Sequence, residues 1–303
     1  MEAILMPLHR IGDASVTQVI DLRGPGFTPD FLYPDWDPAV LDAHRDVMIP
    51  HCFDIEAQRF IASIHTWVVR TRHHTILIDT CAGNHKQRPE FPRFHLLETP
   101  FLERLAQGGV TPESVDYVMC THLHVDHCGW NTRLVDGRWV PTFPKAKYVF
   151  SKKEYDFWVG TVGEEGFNAN IFEDSVLPVI ESGQALIVDE ARAIADTLLI
   201  HPTPGHTDGH VSFELLNRGS SNEGGMFTGD VMHQPLQVYR PDWNSCFCTN
   251  QDAARASRRW LLEHAAEHRS TVFTAHFART SAGHVIRRGD RFDWRFYSSG
   301  ESA

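Results

Sequence analysis

The sequence lacks the features that mark membrane-spanning, exported and disulfide-stabilised proteins. No stretch approaches the ~18 consecutive apolar residues that cross a bilayer, and the six cysteines form no Cys-x-x-Cys pair. The first ten residues carry no apolar core like that of a signal peptide, and Asn-x-Ser/Thr sequons are absent. We therefore expect a soluble cytoplasmic protein with reduced cysteines and no membrane partner.

Positive charge and several common catalytic motifs are also scarce. The chain has 28 Lys and Arg against 39 Asp and Glu, a formal net charge of −11. A surface this negative repels phosphate backbones, so we expect no nucleic-acid partner. The Gly-x-Ser-x-Gly elbow of serine hydrolases, the His-Glu-x-x-His helix and the phosphate-binding Gly-x-x-x-x-Gly-Lys loop are all absent.

The 303 residues, 42% of them hydrophobic, are enough for a large core without disulfides. No Ser/Gly-rich linker interrupts them, so we expect one α/β (α+β) domain over residues 1–303. Short runs rich in Val, Ile, Phe or Thr predict strands at Ser15–Asp21, Phe60–Val69, Thr75–Asp79, Asp116–Cys120, Lys147–Phe150, Ala185–Val188, Thr197–His201, Val211–Leu215, Met226–Thr228 and Thr271–Ala275. Helical spacing predicts helices at Leu97–Gln107, Ser151–Val159 and Asp252–His268.

Three segments are predicted to be long loops. These are Gly24–Pro50, which contains five prolines, the Gly-rich Gly160–Asn170, and His233–Asn250. Loops of this length in a domain often cover or line a binding site. We expect the N-terminal segment, residues 24–55, to be either a lid or a dimer contact. A homodimer is therefore one of the expected states.

Histidine is unusually frequent, with 19 in the chain. The densest group directly follows the predicted strand Asp116–Cys120 and reads Thr121-His122-Leu123-His124-Val125-Asp126-His127. Imidazole and carboxylate donors suit zinc, and also iron, cobalt or manganese. The spacing allows His122 and His124 to bind one ion while Asp126 and His127 reach a second. The alternative, a solvated histidine-rich loop, leaves the other strand ends unexplained.

Those other strand ends also carry His or Asp. Gly205-His206-Thr207-Asp208-Gly209-His210 follows one predicted strand, Gly229-Asp230 ends a second, and His276 follows a third. Each donor lies beside Gly or Ala, which let backbones approach closely. The sequence therefore predicts a metal site built from several strand ends.

Taken together, His-x-His-x-Asp-His, Gly-His-Thr-x-Gly-His, Gly-Asp and a late His resemble the metallo-β-lactamase-fold superfamily of metallohydrolases. The resemblance spans Asp79 to His276, about two thirds of the chain. It implies a four-layer αββα sandwich of two related halves with a dinuclear metal site at one edge.

The resemblance also implies a role for each donor. His122, His124 and His206 resemble the ligands of the first metal, Asp126, His127 and His276 resemble those of the second, and Asp230 resembles the bridging ligand. Asp79 resembles an acid that orients a ligand, with a simple turn Asp as the alternative. His210 resembles the second His of its motif, which is more often structural than ligating.

A dinuclear centre of this kind implies hydrolysis by a metal-bridging hydroxide, with Asp126 orienting the nucleophile. Only 27 residues follow His276, too few for the helical extension of glyoxalase-II-like thioesterases, and the charge disfavours ribonuclease-Z-like nucleases. His124 stands where the flavin-partnered di-iron branch usually has Glu. The quorum-quenching lactonase and methyl-parathion-hydrolase-like branches remain.

We therefore expect a metal-dependent hydrolase of small, neutral, apolar carboxylic esters or lactones with two divalent ions, zinc first among them. His233 stands where acyl-homoserine-lactone lactonases commonly have Tyr, so it either donates a hydrogen bond to the substrate or caps a loop. The alternatives are a phosphotriesterase and, from another class, a mononuclear iron enzyme resembling persulfide dioxygenases.

Overall fold

The structure is a computed structural model that describes residues 8–161, 170–189, 193–195, 197–217 and 223–297. The strands are β1 (Leu8–Ile11), β2 (Ala14–Pro25), β3 (Phe53–Asp54), β4 (Arg59–Arg70), β5 (Thr75–Ile78), β6 (Tyr117–Met119), β7 (Thr132–Val135), β8 (Arg138–Pro141), β9 (Lys147–Ser151), β10 (Ala185–Val188), β11 (Ala193–Ile194), β12 (Leu198–Pro202), β13 (Val211–Leu215), β14 (Gly225–Phe227), β15 (Thr271–Phe273), β16 (Ala282–Arg288) and β17 (Arg291–Phe296). The α-helices are α1 (Pro29–Leu32), α2 (Pro38–Ala43), α3 (Arg45–Met48), α4 (Phe101–Gln107), α5 (Lys152–Gly160), α6 (Leu177–Glu181), α7 (Leu236–Tyr239) and α8 (Gln251–Glu267). This mixture confirms the predicted α/β class.

The strands form two large sheets and a hairpin. One sheet has the order β1-β2-β4-β5-β6-β9-β10, with β3 paired to β4, and the other runs β11-β12-β13-β14-β15-β16-β17. The hairpin is β7-β8. By the density of its contacts the chain divides into two compact units, the first of residues 1–22 and 64–190 and the second of residues 23–63 and 191–303.

In the first unit, β5, β6, β9 and β10 are parallel neighbours. Parallel strands are covered on both faces and are therefore continuously apolar. Ile76–Ile78 of β5 and Val118 of β6 are buried accordingly, and Leu77, Val118 and Tyr148 join Phe101 of α4 in one hydrophobic core. Because the strands are parallel, their carboxyl ends lie at the same edge of the sheet.

In the second unit, β14 and β15 are parallel, and β13 is antiparallel to both β12 and β14. The strands β12, β14 and β15 therefore point the same way and also end at one edge. Its core joins Tyr33, Met48 and Phe60 to the later residues Trp243 and Leu261, all five of them buried.

All ten predicted strands are present, with ends shifted by four residues at most. The helix predicted from Leu97 begins only at Phe101, because Pro100 disfavours helical backbone at the residue before it. The two other predicted helices appear as α5 and α8, and Asn250 caps α8 by accepting a hydrogen bond from the Ala253 amide.

The loop predictions were less accurate. The prediction of one continuous loop over Gly24–Pro50 was wrong. Three short helices, α1 to α3, begin within this segment, two of them at prolines. His233–Asn250 contains α7. Most of Gly160–Asn170, residues 162–169, lies outside the described residues. None of the helices in the described part of the chain is long and apolar enough to cross a membrane.

A carboxylate on the second sheet joins two strands to α8. Glu214 of β13 lies 2.7 Å from His201 Nε2 of β12 and 3.3 Å from His264 Nε2 of α8, one imidazole on each carboxylate oxygen. These hydrogen bonds lower the pKa of Glu214 to about 2.

We expect Glu214→Gln to lower the free energy of unfolding by about 1 kcal/mol at pH 7, because it weakens two charge-assisted hydrogen bonds of a partly buried cluster. A lowered carboxyl pKa stabilises the fold above the unfolded value, and that stabilisation is lost as the pH falls from about 4.5 towards about 2. The melting-temperature difference between variant and wild type, about 2 °C at pH 7 for a chain of this size, should therefore shrink over that range. Glu263→Gln, which alters an exposed pair with Arg259, is the control, and an equal loss in both variants would contradict this account.

Candidate metal centre

The first unit carries four of the predicted donors on the loop after β6. His122, His124 and His127 are buried, and Asp126 is 15% exposed at its side chain. His122 Nε2 and His124 Nδ1 lie 3.0 Å apart. Two nitrogens bound to one tetrahedral zinc at about 2.0–2.1 Å lie about 3.3 Å from each other. The separation of these two nitrogens is thus close to that of two ligands of one ion.

Asp79 joins this loop to the end of β5. Its Oδ1 accepts the Thr121 amide at 2.7 Å, and its Oδ2 lies 2.9 Å from His127 Nδ1. Its backbone has a φ of +56°, an uncommon left-handed conformation that Asp and Asn tolerate better than most residues. The bond to Asp79 places the His127 proton on Nδ1 and the lone pair on Nε2, which lies 3.7 Å from Asp126 Oδ1. Such a contact fixes the tautomer that a ligating histidine needs.

The second unit carries the remaining predicted donors at the ends of β12, β14 and β15. His206 Nε2 lies 3.2 Å from Asp230 Oδ2, and His276 Nε2 lies 2.9 Å from Asp230 Oδ1. All three residues are buried. Both oxygens of this carboxylate thus lie beside imidazole nitrogens, and together these groups offer nitrogen and oxygen donors that could hold metal ions.

The His206 turn depends on a glycine. Gly205 has a φ of +130°, and a Cβ at this position would lie 2.1 Å from the amide nitrogen of Ala254 in α8. Only glycine combines this backbone conformation with so close an approach. The start of α8 therefore lies directly against the backbone that presents His206.

Three buried polar side chains hold the Asp230 loop, two of them from 20 and 27 positions away and the third, Gln237, from four positions after His233. His210 Nε2 accepts the Asp230 amide at 2.9 Å, Arg258 of α8 donates to the Val231 carbonyl at 2.9 Å, and Gln237 Oε1 accepts the His233 amide at 2.6 Å. Because His210 Nε2 accepts this backbone hydrogen bond, its lone pair is not available to a metal. The sequence assigns no role to Arg258, because no local pattern relates a helix to a loop 27 residues earlier.

His233 lies beside the same carboxylate. Its Nε2 is 3.3 Å from Asp230 Oδ2, and its ring centroid is 5.0 Å from that of His206 and 5.7 Å from that of His276. Burial lowers the pKa of His233, although the Asp230 charge opposes that effect. A neutral imidazole retains one N–H that can be donated to a substrate oxygen.

An apolar patch extends from His233. The ring centroid of Phe247 lies 6.4 Å from that of His233. The ring centroid of Phe27 lies 5.2 Å from those of both Phe247 and Phe31. Phe31 is 52% exposed, which is high for a large apolar side chain. Of the other loop aromatics, Trp243 and Phe277 are fully buried in the core.

Comparison with known proteins identifies the family. The model described as "Metallo-beta-lactamase superfamily" matches residues 62–276, whereas none of the curated proteins gives a match. A solved structure of a hydrolase, AbOPH, in the beta lactamase superfamily is 23% identical, covers 98% of both chains and has a TM-score of 0.80.

Two further solved structures are similar. AidC, a dizinc quorum-quenching lactonase in complex with a product, is 21% identical over 98% of both chains with a TM-score of 0.74. A probable metal-dependent hydrolase from Staphylococcus aureus is 15% identical over 96% of this chain and 99% of its own, also with a TM-score of 0.74. At these identities the similarity concerns the fold, and it confirms the fold class predicted from the motifs.

We expect Asp79→Asn to weaken zinc binding by about 10- to 100-fold, because an amide replaces one of the two acceptor oxygens that hold Thr121 and His127. Asn tolerates the left-handed backbone, so the turn itself is preserved. Competition with a chromophoric chelator measures the affinity.

Asp116→Asn is the matched control for this variant, because Asp116 also accepts a backbone amide, that of Thr75, beside the same strands. If Asp79→Asn binds zinc as tightly as this control does, Asp79 is only a turn residue.

Proposed function

The chain belongs to the metallo-beta-lactamase superfamily, and from that premise we propose that it is a dinuclear metal-dependent hydrolase of neutral, apolar carboxylic esters or lactones. The metal ligands proposed are His122, His124, Asp126, His127, His206, Asp230 and His276. Zinc, a cytoplasmic location, a single domain and the lid or dimer role of residues 24–55 remain predictions from the sequence.

The observation that carries the proposal is the surroundings of Asp230. Its two buried oxygens lie 2.9 and 3.2 Å from imidazole nitrogens of His276 and His206. Burying carboxylates with several imidazoles costs free energy unless cations or hydrogen bonds compensate. Divalent ions compensate the carboxylate charge and use the nitrogen lone pairs at once, so this donor set fits a metal pair.

Bound metals of this kind supply an activated water and polarise the substrate carbonyl. The chain's own residues would then orient the nucleophile and the substrate and hold the metal donors in place. Asp126, the most exposed of the seven donors, can accept a hydrogen bond from the nucleophile. His233 can donate to the substrate oxygen, and Asp79 and His210 keep the donors in place through His127 and the Asp230 amide.

The patch of Phe27, Phe31 and Phe247 supports an apolar substrate. Three aromatic rings that lead to His233 offer a surface on which an acyl or aryl group loses contact with water. The net charge of −11 favours neutral molecules over anions. One of the similar structures is a lactonase with a product bound, which agrees with this substrate class.

The proposal predicts that the zinc-loaded protein hydrolyses esters or lactones and that chelation abolishes this activity. A panel of aryl esters, γ- and δ-lactones and paraoxon-type triesters ranks the substrates, because a phosphotriesterase would prefer the last group. His124→Ala and Asp230→Ala should lose both metal and activity, since each removes a ligand.

His268→Ala, on an exposed residue just after α8, is the matched control and should lose neither. Metal content and initial rates are measured together. Full activity with two metals in His124→Ala, or no turnover of any ester or lactone by metal-loaded wild type, would refute the proposal. One iron per chain with oxygen uptake on a persulfide would identify the dioxygenase instead.

For His233→Phe we expect both metals to remain and kcat/KM for the best ester or lactone to fall by about 100-fold, the usual cost of losing a donor to a developing oxyanion. Phenylalanine preserves the ring packing with Phe247 and removes the N–H. Steady-state kinetics and metal analysis measure the two effects, with His268→Phe as the exposed control. An unchanged kcat/KM would show that His233 only caps its loop.

A further inference from the structure

Helix α5 directly follows β9 and carries a buried acid in its first turn. Glu154 is 1% exposed, although glutamate is rarely buried completely. A first-turn acid is favourable beside the positive end of a helix, but an exposed side chain is sufficient for that effect. Glu103, in the first turn of α4, is exposed in this way. The burial of Glu154 therefore needs another reason.

Glu154 connects α5 to the loop that carries the first-unit donors. Its Oε1 accepts the Leu123 amide at 2.9 Å and the Trp158 indole N–H at 2.7 Å. Leu123 lies between His122 and His124, so this hydrogen bond restrains the peptide that joins the two donors. Bonds to an ionised carboxylate are about twice as strong as bonds between neutral groups.

Trp158 extends the same connection to a donor ring. It lies one turn after Glu154 on α5, and its ring contacts that of His124 edge to face, with centroids 5.9 Å apart and planes at 70°. Because Glu154 holds the indole N–H, the orientation of the indole is set by the same oxygen that holds the Leu123 amide. One carboxylate thus restrains both the backbone and the ring of His124.

We propose that Glu154 is a positioning residue for metal binding, acting through the Leu123 amide and Trp158 to keep His124 in its ligating orientation. This inference rests on the proposed metal-binding function. Without Glu154 the Leu123 amide loses its acceptor in a buried site and Trp158 is free to turn. The His124 ring then has several orientations, and metal binding must select one of them at a cost in affinity.

The test compares Glu154→Ala, Glu154→Gln and Trp158→Phe with wild type. Zinc affinity is measured by chelator competition, the ligand geometry by the visible spectrum of the cobalt(II)-substituted protein, and fold stability by the melting temperature without metal. We expect Glu154→Ala to lower zinc affinity by about 10- to 100-fold and to change the cobalt spectrum. Glu154→Gln, which keeps an acceptor oxygen, should retain most of the zinc affinity. The zinc affinity of Trp158→Phe should lie between those of wild type and Glu154→Ala.

Glu103→Ala, which removes an exposed acid from the first turn of α4, is the control and should match wild type. If the Glu154 variants only lower the melting temperature of the metal-free protein, with affinity and spectrum unchanged, Glu154 is structural and the inference is overturned. Trp158→Phe keeps this test decisive if Glu154→Ala does not fold. Wild type that binds neither zinc nor cobalt(II) would overturn the proposed function, whereas metal-binding wild type with unaffected Glu154 variants overturns this inference alone.

Discussion

The buried carboxylate of Asp230 is the constraint on which the arrangement of donors in the second unit depends. Its oxygens lie against His206 and His276, its amide donates to His210, and the loop around it is held by Arg258 and Gln237. An ionised carboxylate is stable in such a place only when hydrogen bonds or cations surround it. His206 and His276 therefore surround the carboxylate itself, while His210, Arg258 and Gln237 hold the backbone that keeps it in place.

Both units place their donors at the ends of strands that run in the same direction. Strands that point in one direction end together, and the donors lie on the segments that follow them: after β6 in the first unit, beside Asp79 at the end of β5, and after β12, β14 and β15 in the second. Apolar strands make the ends rigid, and buried side chains such as Asp79, Glu154 and Arg258 fix the loops beyond them. Rigid placement matters because a ligand set loses affinity when its members must first be ordered.

The sequence revealed the strands and the donor residues for different reasons. Runs such as Thr75–Ile78 are short, apolar and bounded by polar residues, so their periodicity identifies them locally. The donors were visible because His122, His124, Asp126 and His127 are crowded into six residues. The supporting side chains were not visible, since Glu154 meets Leu123 across 31 positions and Arg258 meets Val231 across 27. Strands β16 and β17 were missed because the prediction relied on continuous apolar runs, whereas in β17 the buried Phe292, Trp294 and Phe296 alternate with charged residues.

The core of the second unit has a consequence for synthesis of the chain. Tyr33, Met48 and Phe60 leave the ribosome early, yet they pack with Trp243 and Leu261. At 5–20 residues per second, the 183 positions between Phe60 and Trp243 take about 10–35 s to translate. During that interval the early apolar side chains have only one another as neighbours, as in the Tyr33–Phe60 contact, and the surface that Trp243 and Leu261 cover in the folded unit is open to aggregation. The second unit can therefore complete its core only after Trp243 and Leu261 have been synthesised.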